Sequence, residues 1–593
     1  MGAFLTAESK RIIAERAERA AYLDVVEANP NARSLIALSS GDLLDECRQI
    51  LAATEAARRS EELVRREAPV IRLHTAGMAM KHVVTNALSY TFEFVENDTG
   101  TGETTHFAES EEAQWLLHIY ERVAAGEGEA PQITADYVGS RWSGFLDDVY
   151  IEETTSGDQI VVATWLHDYE RLKWIRCWPT PWLPAAIQFK AWILVGPTDW
   201  CALTTLYANL WRERASSQPL LNDPMTSMGN VSNWPIVVNP VSFAQAATGG
   251  ALWSMPIIRM KSWHDAFEVM LADADLAVQV DRWMTGDDPP WPGANLRHGT
   301  LVVSIVDKSG RYNTGTMESG NLIGGLLSTI AGFTADFIDT IFSPTTNSIP
   351  GEYLTIGYKS TNKTMPYVIY RPGITPGVVS AKFRCIPAKG VQVITGGKSM
   401  PGVNEVIGAI IQAIGDVVGD NLTVFGYGVG SIGGAIDTLL KPLYEHTILA
   451  WTQTRSVGRT ANAGWQGLFE FFQEGADQAY TLNSLIAIRT GLWATRRRFM
   501  HEIVVMDACP WMIGDNGVGH MWLSDRVGTT EPADESGRVW IDRIKKLVLR
   551  ADESTWHPEW QITIGADEEE DPLMVAIRRI KQIFTGLQDV GLA

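Results

Sequence analysis

The chain has 593 residues, 45% of them hydrophobic and 20% charged, and carries a net charge of −21. This composition fits a globular protein and excludes a mostly disordered one, while the length calls for about four domains rather than one core. The acidic balance argues against a broad phosphate-tracking surface. The dense basic cluster Arg496-Arg497-Arg498 is short and lies among apolar residues, so it reads as an ion-paired or interface triplet.

Residues 8–26 and 42–67 read as two helices broken at Asn29-Pro30-Asn31, with Asp42 as the cap of the second. Leu43, Cys47, Ile50, Thr54 and Ala57 recur at three-to-four spacing, and the helix then turns strongly polar, as in one that projects from a domain or lies on a partner. From 69 to about 180 the pattern is β. Residues 90–95 alternate, and 146–154 with 159–165 form a hairpin around Ser156-Gly157-Asp158. Helices are predicted at 199–215 and 262–284, strands at 300–306, and further β character over 352–395. Strands follow at 501–506, 518–524, 539–549 and 560–564, and an acidic loop at 567–571 leads into an amphipathic helix over 572–587. No repeat of 20–50 residues is present.

Two Gly-rich apolar segments stand apart, 320–342 and 403–440. The first carries Leu322, Ile323, Leu326, Leu327, Ile330 and Phe333. In the second, Ile407, Ile410, Ile411, Ile414, Val417 and Val418 mark one helical face, and Phe425 and Tyr427 follow among closely spaced glycines. Their uncharged runs, sixteen residues at 320–335 and sixteen at 421–436, are shorter than the ~18–20 a membrane-spanning helix needs. They suit buried or interfacial packing, closure of a channel, or contact with a membrane.

No common catalytic spacing is present: there is no HExxH, no GxSxG and no GxGxxG opening a βαβ unit. Gly396-Gly397-Lys398-Ser399 matches only the end of a phosphate loop, and Pro401 removes the helix that should follow. His264 and Glu268 share a helix face without an obvious third metal ligand. Asp147-Asp148 sits on a strand, where neighbouring side chains point to opposite faces, and Asp287-Asp288-Pro289-Pro290 reads as a polar turn. The five cysteines, Cys47, Cys177, Cys201, Cys385 and Cys509, form neither a disulfide framework nor a zinc pattern. The 22 tryptophans exceed ordinary usage and suit β-rich cores and subunit interfaces. No catalytic residue, metal or cofactor is expected.

Four local phrases, in order, carry a resemblance. They are Gly139-Ser140-Arg141-Trp142-Ser143-Gly144, then Leu166-His167-Asp168-Tyr169-Glu170-Arg171-Leu172 before a Pro/Trp-rich stretch, then Asp281-Arg282-Trp283-Met284-Thr285-Gly286-Asp287-Asp288, and Val306-Asp307-Lys308-Ser309-Gly310 with Gly315-Thr316. Over roughly 69–570 the chain resembles the minor tail proteins of siphophages of actinobacteria such as mycobacteriophages, in the tail-hub family. The resemblance implies a multidomain α+β fold with two tail-tube-like β-barrel domains, one at 69–180 and one in parts of 345–402 and 451–571. A mixed α/β insertion at 181–316 would separate them, with a helical extension at 1–68, apolar segments at 317–344 and 403–450, and a closing helix at 572–593. It further implies a homotrimer in the virion tail tip, made in the host cytoplasm, that meets a distal tail protein ring, the tape-measure protein and other minor tail proteins. A host membrane would be a further partner of the apolar segments. A glycan- or receptor-binding tail protein and the distal tail protein itself are the alternatives.

Overall fold

A computed structural model describes residues 40–308 with breaks at 154–156, 195, 215–229, 250–252 and 255, separate stretches between 341 and 506, and 511–565 except 516–517, 531–537 and 553–556. The chain divides into two compact units: Met1–Thr329, Thr340–Arg384 and Phe499–Asp567 in one, Ile330–Asp339, Cys385–Arg498 and Glu568–Ala593 in the other.

The first unit is organised by an antiparallel sheet assembled from both ends of the chain. Its central path runs Val378–Ile386, Arg498–Met506, Glu559–Gly565, Val539–Ala551, Ser89–Val95, Thr101–Phe107, Gln159–His167, Ser140–Glu153, Gln132–Tyr137, Val70–His74 and Met80–Val84. Period-two alternation drives it: Phe92 and Phe94 face inward from Ser89–Val95, and Trp560, Ile562 and Ile564 do so from Glu559–Gly565. The seam between early and late strands lies where Phe94 pairs with Leu547 and Phe92 with Leu549. One apolar core spans it, joining Ile133, Trp142 and Trp165 to Ile503, Leu547 and Trp560. Trp142 and Trp165 keep their indole N–H groups satisfied in this core: Trp142 donates to the Glu93 carbonyl at 2.8 Å and Trp165 to Thr104 Oγ1 at 3.0 Å.

The two groups of strands expected to form separate barrels thus lie in one sheet. No ring of paired strands closes among the described residues, and the coarser expectation of a strand-rich mixed fold is what stands. The physical reason is the length of Val539–Ala551: its first half pairs with Arg526–Thr529 and Ile341–Phe342, its second half with Glu559–Gly565 and Ser89–Val95.

A second layer fills residues 169–308 around its own core, which includes Leu203, Leu206, Trp263, Phe267, Leu276 and Val302. Ile236–Val238 runs parallel to Leu301–Asp307, which pairs antiparallel with Leu276–Arg282. The helix Thr198–Arg214 is buried from Cys201 through Leu210. Two of its polar side chains bond back to its own carbonyls, Thr205 Oγ1 donating to Cys201 O at 2.7 Å and Asn209 Nδ2 to Thr205 O at 2.9 Å. The helix predicted over 262–284 is shorter than expected. It begins at the Ser262 cap and ends at Asp273; Asp275 takes φ +56°, and Leu276–Arg282 is a strand. Leu276, Val278 and Val280 alternate inward there, a period of two that the longer helical reading overlooked. Residues 518–524 likewise form turns rather than a strand.

The described N-terminal helix is Ser40–Arg66, so Asp42 lies in its first turn and not at its cap. It is anchored at its last turn, where Val64 and Arg65 are buried and the Tyr137 hydroxyl donates to the Arg65 carbonyl at 2.5 Å. Farther up, Ile50 and Leu51 are exposed, as expected of a projecting helix. The helices predicted at 8–26 and 572–587 lie outside the described residues. In the second unit Gln392–Gly396 pairs antiparallel with Trp451–Arg455 and parallel with Glu470–Phe472. Gly396 therefore ends a strand instead of opening a phosphate loop.

His501 sits inside the sheet core at 2% exposure, edge-on to Phe383, and neither ring nitrogen has a protein partner. Burial depresses its pKa from 6.5 to about 4. The folded state therefore holds the ring neutral, and its contribution to stability is complete above about pH 6.5 and lost as pH falls toward 4. In His501→Phe, thermal stability relative to the parent chain should rise by about 2 kcal/mol on going from pH 7 to pH 5. An offset that is the same at both pH values would contradict a neutral buried imidazole.

Candidate functional site

Described residues of the four phrases singled out in the sequence meet at the junction between the sheet and the second layer, where they build a chain of buried charges. At its centre Asp168, fully buried after Gln159–His167, accepts from Ser143 Oγ at 2.6 Å, Arg171 Nε at 2.8 Å and Arg282 Nε at 2.9 Å, with a second, very short contact from Arg282 Nη2. Burial alone would raise the Asp168 carboxyl, but Arg282 and Arg171 outweigh it and hold it well below the usual carboxylate range. Arg282 ends the second-layer strand Leu276–Arg282 and spends another donor on the Gly299 carbonyl at 2.9 Å.

Local backbone geometry places each partner. Gly139 takes φ +76° and leaves no room for a side chain, since a Cβ there would lie 2.6 Å from Val518 and 2.8 Å from the Asp515 carbonyl. That turn starts the strand Ser140–Glu153 and aims Arg141 outward. Arg141 then bonds Asp136 Oδ1 at 2.6 Å on its own sheet and Asp287 Oδ2 at 2.6 Å on the second layer. Asp287 also accepts from the Met284 amide at 2.9 Å, so the turn reading is right but incomplete: the turn residue is an ion-pair partner. Beside it, burial and the Asp515 carboxylate push Asp281 up to about 7, with Arg141 opposing them.

A second group lies along the same junction. Glu96, 3% exposed at its side chain, is held by Arg543 and Lys545 through very short contacts. Burial would raise its carboxyl, but these two cations more than offset that and hold it below its ordinary value. Arg543 reaches on to Asp275 at 2.9 Å, and Arg526 meets the same carboxylate at 3.2 Å. Lys308, from the fourth phrase, bonds Asp525 at 2.5 Å. Between the two groups Asn97, at φ +55°, acts as a surrogate strand edge. Its side chain donates to the Leu276 carbonyl and accepts from the Val278 amide, both at 2.8 Å.

This arrangement pins two layers in one register. Other sequence candidates resolve locally. His264 meets Tyr169 Oη at 3.0 Å and faces Glu268 at 3.8 Å. No group of three or more metal-ligating side chains is placed to hold an ion among the described residues. Asp147 and Asp148 are exposed at a register shift of their strand. Leu322, Ile323, Leu326, Leu327, Ile330, Phe333, Ile407, Ile410, Ile411, Ile414, Val417, Val418 and Phe425 lie outside the described residues. Tyr427 opens the strand Tyr427–Val429, which pairs with Leu422–Val424 in a short hairpin. Asn97, Glu96, Arg543 and Asp275 escaped the sequence reading, and the signal available for them was only an Asn in a turn and single charges inside apolar strands.

Removing one partner from a buried pair leaves the other charge stranded, at a cost of about 3–5 kcal/mol. Asp168→Asn should lose stability on that scale in urea unfolding, whereas Asp168→Leu combined with Arg282→Met should recover more than half of it. A single substitution costing under about 1 kcal/mol, or a double costing the sum of its singles, would contradict a coupled pair.

Known proteins are similar to this chain in sequence. The chain is 28% identical over 591 residues to minor tail protein Gp28 of Mycobacterium phage L5, covering 90% of this chain and 96% of that one. It is equally similar to minor tail protein Gp28 of Mycobacterium phage D29, with the same coverage. Among solved structures, a tail protein from Neisseria meningitidis MC58 aligns with a TM-score of 0.38 at 9% identity, over 84% of this chain and 97% of that one. Prophage tail protein gp18 from Listeria monocytogenes EGD-e aligns with a TM-score of 0.37 at 10% identity, over 87% and 99%. At that level the structural likenesses carry no argument. Residues 70–566, which include all four phrases and the junction they build, match the family described as Siphovirus ReqiPepy6 Gp37-like protein, and the chain belongs to that family.

Proposed function

We propose that the chain is a structural minor tail protein of a siphophage virion and acts as the hub of the tail tip, a homotrimeric adaptor that closes the tube. Family membership and the minor tail proteins at 28% identity support the tail role. The observation that carries the adaptor reading is the pair of open sheet edges. Among the described residues, Met80–Val84 pairs only with Val70–His74, and Val378–Ile386 only with Arg498–Met506. Met80 at 60% and Val379 at 62% exposure lie on those edges. A sheet edge left bare invites pairing with another chain, and a subunit meant for a ring has neighbours to cover it.

In this reading the early and late strands are two tube-related halves sharing Val539–Ala551, so three copies offer six halves to a distal tail protein ring. The tape-measure protein and other minor tail proteins meet the remaining surfaces. The apolar segments 320–342 and 403–440 close the channel or reach the host membrane during DNA ejection. No catalytic step is assigned to the chain.

Electron microscopy of the native tail, with this chain labelled, should place it in a three-fold density that closes the tube; a six-fold ring or a peripheral fibre would overturn the hub. Light scattering on the purified chain should give a trimer that Val83→Lys, a charge on the exposed edge, converts to monomer. A parent chain that stays monomeric at micromolar concentration, or a variant that stays trimeric, would remove the edge from the account.

A further inference from the structure

The second layer presents a surface whose chemistry is opposite to that of the chain as a whole. Residues 174–193 and 256–262 contain Arg176, Lys190, Arg259 and Lys261 and no Asp or Glu, in a chain of net charge −21. The fold brings the two segments together. Ile193 pairs with Ile257, Met260 N donates to the Cys177 carbonyl, Cys177 N donates to the Lys261 carbonyl, and Arg176 bridges to Ser262. Met260, at φ +54°, turns the backbone between the two pairing zones.

Large apolar side chains stand out of this surface among the cations: Ile187 is 61% exposed, Phe189 65%, Ile193 52% and Met260 40%. They are not on a slack loop. Gln188 ties residues 180–188 into a closed loop, accepting from the Thr180 amide at 2.9 Å and donating to the carbonyls of Thr180, Leu183 and Pro184 at 2.8–3.2 Å. Ile187 and Phe189 flank that knot and are held outward by it. At the margin Trp174 is 78% exposed, its indole N–H directed to Glu170 at 3.2 Å. Glu170 is itself engaged by Thr99 and Lys173.

We propose that this surface is a peripheral contact site for an anionic phospholipid bilayer. Apolar and aromatic tips ringed by Lys and Arg match the headgroup boundary, where the tips enter the acyl edge and the cations meet lipid phosphates. A protein partner would favour fewer lysines at the centre of its footprint. The contact is superficial, because no helix among the described residues is long and apolar enough to cross a membrane. It is separate from the apolar segments 320–342 and 403–440 and does not depend on the hub reading.

Flotation of the full chain with vesicles tests it. The chain should float with vesicles of equal parts phosphatidylglycerol and phosphatidylcholine, not with phosphatidylcholine alone, and should be released near 1 M salt, where the screening length is about 3 Å. Each cation near such a surface contributes about fivefold in affinity, so Arg176→Glu with Lys190→Glu should weaken binding at least about twentyfold. Ile187→Ser with Phe189→Ser should abolish flotation, and Arg48→Glu, on the projecting helix, should leave it unchanged. Thermal unfolding of each variant should match the parent chain. Equal binding to neutral vesicles, or binding that survives either double substitution, would overturn the proposal by placing lipid contact elsewhere. So would no binding to any vesicle, and failure of the charge-reversed chain to enter tails would then mark the surface as a protein contact.

Discussion

Asp168 keeps its charge while fully buried, and the surroundings are arranged to permit that. Such a carboxylate is tolerable only if it is fully hydrogen-bonded and paired. Its partners come from three elements: Ser143 from the sheet, Arg171 from the short helix Glu170–Trp174 that follows at once, and Arg282 from the second layer. Satisfying one oxygen pair thus fixes a sheet strand, a helix start and a second-layer strand relative to one another. Replacing a buried pair with apolar residues of the same volume is often neutral or stabilising, so net stability is a poor explanation for it. What directional bonds supply is a single register. Asn97, Arg141 and Arg543 repeat the device along the junction, each reaching from one layer to the other.

That rigidity is in keeping with the structural role proposed above. Among the described residues, Met80–Val84 and Val378–Ile386 each pair on one side only, which is where the proposed assembly would add main-chain bonds. The interior is locked and the rim left unfinished, which is the division of labour expected of a part that is completed by assembly.

How much of this was legible beforehand varied by element. Alternation in Ser89–Val95 and Glu559–Gly565 identified strands because one face of each is buried and the pattern repeats every two residues. The helix Thr198–Arg214 was legible from its length. Leu276–Arg282 was not, since its apolar residues continue the helical pattern of 263–273, and only the left-handed Asp275 marks the change. The lock was legible as a resemblance but opaque as physics. Its paired residues stand far apart in sequence, by 146 residues for Arg141 and Asp287 and by 447 for Glu96 and Arg543, and local sequence carries no information on which distant carboxylate an arginine will meet. Pairing of Ser89–Val95 with Val539–Ala551 was hidden for the same reason. It puts the early and late strands in one sheet.

If the buried charges make sheet and second layer one body, the two should open together. Native-state hydrogen exchange reads this directly, since amides in a cooperative unit share one opening free energy. Amides of Ser89–Val95, Ser140–Gly144, Leu276–Arg282 and Val539–Ala551 should then exchange with a common slow limit and a common denaturant dependence. Exchange of Leu276–Arg282 and Leu301–Asp307 through a separate opening, orders of magnitude faster than the sheet, would contradict the lock.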